Sequence, residues 1–157
     1  MKSLLQVHDC FSLLFLIAHC SPLHPCLTDI HEGAVTAVRL SPVDATKVVT
    51  NSLDARLRVV DIRTGSVVET FRDDDLVTTQ SWSSVTWSPN GRMVAAGSNA
   101  TGVVLVWNIL TGALSKVKAE ETPTLHTGIV GVDWSRGGPN GPQLATLDRR
   151  GKLILWE

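Results

Sequence analysis

Ser52, Asp54 and His31 supply the residue types of a nucleophile, an orienting carboxylate and a general base. For acyl transfer the hydroxyl must lie open in a cleft, within hydrogen-bond reach of the imidazole and beside donors for an oxyanion. The sequence shows no substrate pocket around these three residues, so no catalytic residue is expected. His19, Cys20, His24 and Cys26 are metal-ligand types, but their spacing matches no ordered zinc pattern and Pro22 and Pro25 interrupt them. Gly97 to Gly102 makes half of a phosphate-binding loop, with Val103 and Val104 where Lys and Ser or Thr are needed. Asp73, Asp74 and Asp75 lack the glycine and terminal glutamate of a calcium loop and read as a solvated connection. Neither metal nor cofactor is expected, and the protein reads as a non-enzyme.

What positions such residues is a chain of 157 residues, 43% of them hydrophobic, which is enough for one domain with a core. Its net charge is -1, from 14 Lys plus Arg against 15 Asp plus Glu. No basic surface is available to displace counterions from a phosphate backbone, so nucleic acid is not an expected partner. Recognition must then rest on local shape and buried contacts rather than on long-range steering.

Three markers share one spacing. Ser41-Pro42, Ser88-Pro89 and Ser135-Arg136 recur at intervals of 47 residues, as do Thr64-Gly65 and Thr111-Gly112. Val60-Asp61, Trp107-Asn108 and Trp156-Glu157 follow at 47 and 49. Within each period short β-branched and aromatic runs alternate with turn residues, the pattern of an all-β repeat protein. Strands are predicted over Val35 to Leu40, Val48 to Ser52, Leu57 to Asp61 and Val67 to Phe71 in the first unit. The second unit predicts Ser84 to Trp87, Met93 to Gly97, Val103 to Asn108 and Leu114 to Lys118. The third predicts Ile129 to Trp134, Gln143 to Leu147 and Lys152 to Trp156, with no fourth strand. Ala95, Ala96 and Gly97 are small enough for neighbouring sheets to approach closely.

These units resemble WD40 repeats. The Trp-Asp signature takes the forms Val60-Asp61, Trp107-Asn108 and Trp156-Glu157, and the Gly-His element is partial at His31-Glu32-Gly33 and His126-Thr127-Gly128. The resemblance implies a partial WD40 β-propeller of about three four-stranded blades, the last incomplete. It also implies a structural network in which His31, Ser52, Asp54, Trp107, His126 and Trp156 tie strands to turns. Ser81 to Gly91, Val94 to Ser98 and Trp107 to Gly112 are similar to the last blades of the autophagy-related protein 16 family, over roughly Asp29 to Glu157. That family's amino-terminal helical region, which recruits its conjugation machinery, has no counterpart in the sequence.

The expected organisation is an amino-terminal segment, residues 1–28, either signal-like or foreign to the propeller, followed by repeats at about 29–75, 76–122 and 123–157. The apolar run from Phe11 to Ala18 is far short of the ~20 residues a membrane helix needs. All three cysteines precede Asp29, which favours a cytoplasmic protein; a secreted one is the alternative, and Asn99-Ala100-Thr101 would then be a glycosylation acceptor. The expected function is a protein-interaction scaffold linked to autophagy, with a WD40 adaptor in another pathway as the alternative. Its partners are protein or peptide segments on the propeller surface. Trp82, outside the repeat register, is the leading anchor, with Arg56, Asn99 and Arg149 in turns expected to open to solvent. Three units are too few to close a ring of ~4 to 8 blades, so further blades or self-association are expected as well.

Overall fold

The computed structural model describes residues 29–81, 83–118, 128–137 and 141–156. These residues form eleven strands and no helix. β1 (Val35–Leu40), β2 (Lys47–Ser52), β3 (Arg56–Asp61) and β4 (Ser66–Arg72) make the first sheet in the order β1-β2-β3-β4. β5 (Val85–Trp87), β6 (Met93–Gly97), β7 (Val103–Asn108) and β8 (Leu114–Lys118) repeat that order in the second. β9 (Ile129–Trp134), β10 (Leu144–Asp148) and β11 (Leu153–Trp156) make a three-stranded third sheet. Every pairing is antiparallel between strands consecutive in sequence, and the set is not closed into a ring. β10 starts one residue later than the apolar pattern indicates, because Gln143 N–H is drawn off to Ser135 Oγ at 2.8 Å.

The sheets stack, β1 and β2 against β5, then β5 and β6 against β9. A sheet covered on both sides must be apolar on both, which is why β6 and β7 read as continuous apolar runs rather than alternating ones. One face of the first sheet, carrying Val49, Leu57, Val59 and Phe71, meets Val85, Trp87, Val94, Leu105 and Trp107 of the second. The opposite face of the second sheet, with Ala95 and Val104, meets Ile129, Val132 and Leu144 of the third.

Each sheet therefore has a leading face, which receives its predecessor, and a trailing face, which covers its successor. On the leading face of the second sheet Trp87, Val94, Trp107 and Leu114 pair in register across all four strands. Trp134, Leu144 and Trp156 form the equivalent row on the third. Polar links recur at the repeat interval along the inner strands. Trp87 Nε1 donates to the Arg39 carbonyl at 3.1 Å, and Thr86 Oγ1 donates to Asp133 Oδ1 at 2.9 Å. Close approach is enforced by missing side chains: a Cβ at Gly97 would lie 2.2 Å from Ile129 Cγ2, and one at Gly128 would lie 1.8 Å from the Asn99 carbonyl oxygen.

Candidate functional site

The turn between β2 and β3 gathers most of the polar residues singled out by sequence. Ala55 takes the left-handed conformation there (φ 58°), and Asp54 N–H donates to Ser52 Oγ at 3.2 Å. This tight reversal points the Asp54 carboxylate at the segment preceding β1. His31 Nδ1 lies 3.0 Å from Asp54 Oδ2, and Nε2 lies 2.7 Å from Thr50 Oγ1. A carboxylate only accepts, so the ring proton is assigned to Nδ1; the neutral ring then accepts the Thr50 hydroxyl proton at Nε2. Asp54 also accepts from Glu32 N–H at 3.2 Å, Arg56 N–H at 3.1 Å and the Arg58 guanidinium at 3.2 Å. Arg58 continues to the Ile30 carbonyl, and Arg56 reaches Glu32 at 3.1 Å.

Burial dominates the titration of His31 and lowers it below 6.5, outweighing the hydrogen bond and charge of Asp54. Burial also opposes ionisation of Asp54, but the hydrogen bond from His31, its charge and the Glu32 and Arg58 contacts together hold that carboxyl below 3.8. Chemically the arrangement is a brace. Ser52 is fully buried and occupied by the Asp54 amide, and the hydroxyl that meets the imidazole belongs to Thr50. Thr50 and Arg58 are the participants that sequence reasoning missed. Thr50 lies two residues before Ser52 on the same strand face, so alternation alone could not choose between the two hydroxyls.

The other expected residues are dispersed. Trp107 is buried on the second sheet and stacks on Phe71 with ring centroids 5.7 Å apart. Trp156 Nε1 donates to Thr146 Oγ1 at 3.0 Å within the third sheet. Arg56 is partly exposed beside Glu32, and Arg149 is exposed in the β10–β11 turn, where its N–H donates to the Gly128 carbonyl. Trp82 and His126 lie outside the described residues, as does the whole of residues 1–28 with its cysteines.

Asn99 requires a correction. It does not open to solvent but is 2% exposed, with Oδ1 accepting from Thr79 N–H at 2.9 Å and from Thr79 Oγ1 at 3.1 Å. Its Nδ2, the atom a glycan would occupy, is buried without a hydrogen-bond partner among the described residues. The segment before β5 lies against the Asn99 side chain through Thr79, and Gly128 passes close over its backbone, so a turn that in isolation would be wet is covered from two directions. The acidic run is also employed: Lys116 Nζ lies 2.7 Å from both Asp73 and Asp75, joining β8 to the connection between the first two sheets. Among the described residues no group of His, Cys, Asp and Glu is arranged to hold a metal ion, and no helix is long and apolar enough to cross a membrane.

Residues 66–108 match the family described as WD domain, G-beta repeat. Over those residues the chain carries a WD40 repeat. The matched WD40 unit opens in β4 of the first sheet and closes in β7 of the second, so a repeat in sequence straddles two blades in space. Among curated proteins the chain is 31% identical to Protein tipD of Dictyostelium discoideum over 131 residues, 83% of this chain and 21% of that protein. It is 32% identical to Autophagy-related protein 16 of Arabidopsis thaliana over 126 residues, 80% of this chain and 23% of that one. With Protein Atg16l2 of Homo sapiens identity is 27% over 127 residues, 80% of this chain and 19% of the relative. The chain thus spans about a fifth of the length of the relatives it matches.

Proposed function

We propose that this chain is a non-catalytic interaction scaffold, whose WD40 blades present loop and turn residues to protein or peptide segments in a cytoplasmic, autophagy-related assembly. One observation carries the reading: among the described residues, the candidate nucleophile, base and carboxylate of the β2–β3 turn and the acidic run before β5 are consumed in bracing. Ser52 holds the Asp54 amide, His31 holds Thr50 and Asp54, and Lys116 holds Asp73 and Asp75. A nucleophile whose lone pairs and base are already committed has no free geometry for attack. The likeness to the autophagy-related protein 16 of Arabidopsis supports the pathway.

Trp82, three residues before β5 in the sequence, is proposed as the peptide anchor, since aromatic residues contribute most to such contacts; Arg56, at the start of β3, and Arg149, in the β10–β11 turn, are proposed as secondary contacts. The test is co-precipitation of the full chain with autophagy components other than the conjugation machinery, repeated with Trp82→Ala and Arg56→Glu. Retention by the parent chain and loss of at least about tenfold with Trp82→Ala is expected. Retention of those components undiminished by either substitution would remove the site, and no association by the parent chain would remove the pathway.

A further inference from the structure

The middle of the first sheet's leading face is covered, and not by either of the other two sheets. Leu40, Val48, Val60 and Val67 pair across that face in the register that Trp87, Val94, Trp107 and Leu114 occupy on the second sheet. Val48 and Val60, on the two middle strands, are 9% and 0% exposed. Among the described residues, neither belongs to the core between the first and second sheets or to that between the second and third. A middle-strand side chain with no described sheet over it keeps more solvent: Leu147, on the trailing face of the third sheet, is 39% exposed.

The cover is also narrow. Leu40 and Val67, the ends of the row, remain 48% and 42% exposed, whereas Trp87, the counterpart of Leu40 beneath a whole blade, is 7% exposed. Neighbouring strands lie about 4.8 Å apart, so a row across four of them is about 14 Å long. Burial of its middle with both ends open fits one helix, about 10–12 Å wide, or one extended run, and not a four-stranded sheet.

The sequence offers one apolar stretch for the task. Residues 11–18, upstream of β1, are apolar at every position except Ser12. The 16 residues between Ala18 and Val35 reach up to about 50 Å when extended, ample for the chain to turn back over the sheet. Residues 119–127 hold only Ala119 and Leu125 as apolar members, and they join β8 to β9 on the trailing side of the first sheet.

We propose that residues 11–18 lie on the leading face of the first sheet over Val48 and Val60, an internal cap that closes this face to any other sheet. An open apolar face invites association with other chains, and a cap tethered to the same chain outcompetes them through its effective concentration, of order mM. Residues 1–28 are then a working part of the stack and not a removable leader.

The test is thiol labelling of the full chain under native conditions, read by peptide mass so that each introduced cysteine is told apart from Cys10, Cys20 and Cys26. Val60→Cys is expected to react at least about tenfold more slowly than Leu40→Cys. Leu14→Asp together with Phe15→Asp sets charge in the apolar run. It should speed the reaction of Val60→Cys at least about tenfold and leave Val49→Cys, buried beneath the second sheet, unchanged. Val60→Cys reacting as fast as Leu40→Cys in the native run, or staying equally protected beside the two aspartates, overturns the proposal. If the aspartates open Val49→Cys as well, cross-linking in the otherwise native run decides. A short bismaleimide is expected to join Leu40→Cys or Val67→Cys to Cys10 or Cys20 within one chain. Absence of both links, or links found only between two chains, overturns the proposal, as does recovery of the protein from its own cells without residues 1–28. The scaffold reading is separable, since loss of the cap with partners still retained would leave it standing.

Discussion

Replacing Asp54 by Asn tests the brace at its centre. The exchange keeps the shape of the side chain, which is 5% exposed, but turns one of its two acceptors into a donor. Donors surround both oxygens: Oδ1 faces Arg56 N–H and His31 Nδ1, and Oδ2 faces Glu32 N–H, the Arg58 guanidinium and the same imidazole. Either orientation of the amide therefore sets N–H against N–H and removes the charge from the contacts that remain. A hydrogen bond to a charged group contributes about 1.5–3 kcal/mol, and a buried donor left unpaired costs about 1–3 kcal/mol. The best orientation forfeits the Arg56 contact and weakens that of Arg58, so a loss of about 2–4 kcal/mol is expected. Urea unfolding followed by tryptophan fluorescence measures it as a lower midpoint at unchanged slope. The pH dependence supplies an independent arm. His31 and Asp54 both titrate below their ordinary 6.5 and 3.8, so on acidification the unfolded chain takes up protons first. Their contribution is complete above pH 6.5; it declines with His31 as pH falls below that value and with Asp54 below 3.8. Asp54→Asn abolishes the second decline and, by removing a charge that raises His31, enlarges the first. A stability change under about 0.5 kcal/mol, the range of an ordinary surface substitution, would refute the account of the brace.

Gly97→Ala drives a methyl group into Ile129 at the junction of the second and third sheets; a loss of about 1–3 kcal/mol is expected from overpacking, read as a lower thermal midpoint. Ala55→Gly relieves a left-handed backbone (φ 58°) and should stabilise by about 0.5–1 kcal/mol in denaturant titration, the release of strain exceeding the added freedom of the unfolded chain. Trp107→Ala removes a buried ring stacked on Phe71; it should cost about 3–5 kcal/mol, and hydrogen exchange should show the first and second sheets loosening before the third.

The strands and their pairing were legible because the same signals recur along the chain. A 47-residue period repeats the same turns, and β-branched runs leave little room for another structure. The ends of strands were less so, as at β10, where a side-chain hydroxyl captured the amide of Gln143. Side-chain partners were the weakest part. His31 and Asp54 do meet, as the resemblance implied, but the choice of Thr50 over Ser52 depends on how deeply the imidazole seats, which no pattern of residue types records. Arg58 looked like one more polar position on a strand; only the fold brings it under Asp54. Asn99 failed for a long-range reason, since its cover comes from Thr79, 20 positions earlier, and Gly128, 29 positions later in the chain. Local sequence describes a turn's own hydration and says nothing of what lands on it.

The offset between the WD40 unit and the blade, opening in β4 and closing in β7, has a consequence for how such a gene can change. Excising one full period between Gly65 and Gly112 would join Asp61-Ile62-Arg63-Thr64-Gly65 directly to Ala113, handing Leu114–Lys118 to the first sheet as its outermost strand. The scar would fall in a surface hairpin, and each surviving sheet would still be whole. Losses or duplications of that length are healed by the geometry itself, whereas a cut that ends inside a strand leaves half a hairpin, so copy number can drift in lineages and changes of unit length, such as the step from 47 to 49 residues here, are confined to turns.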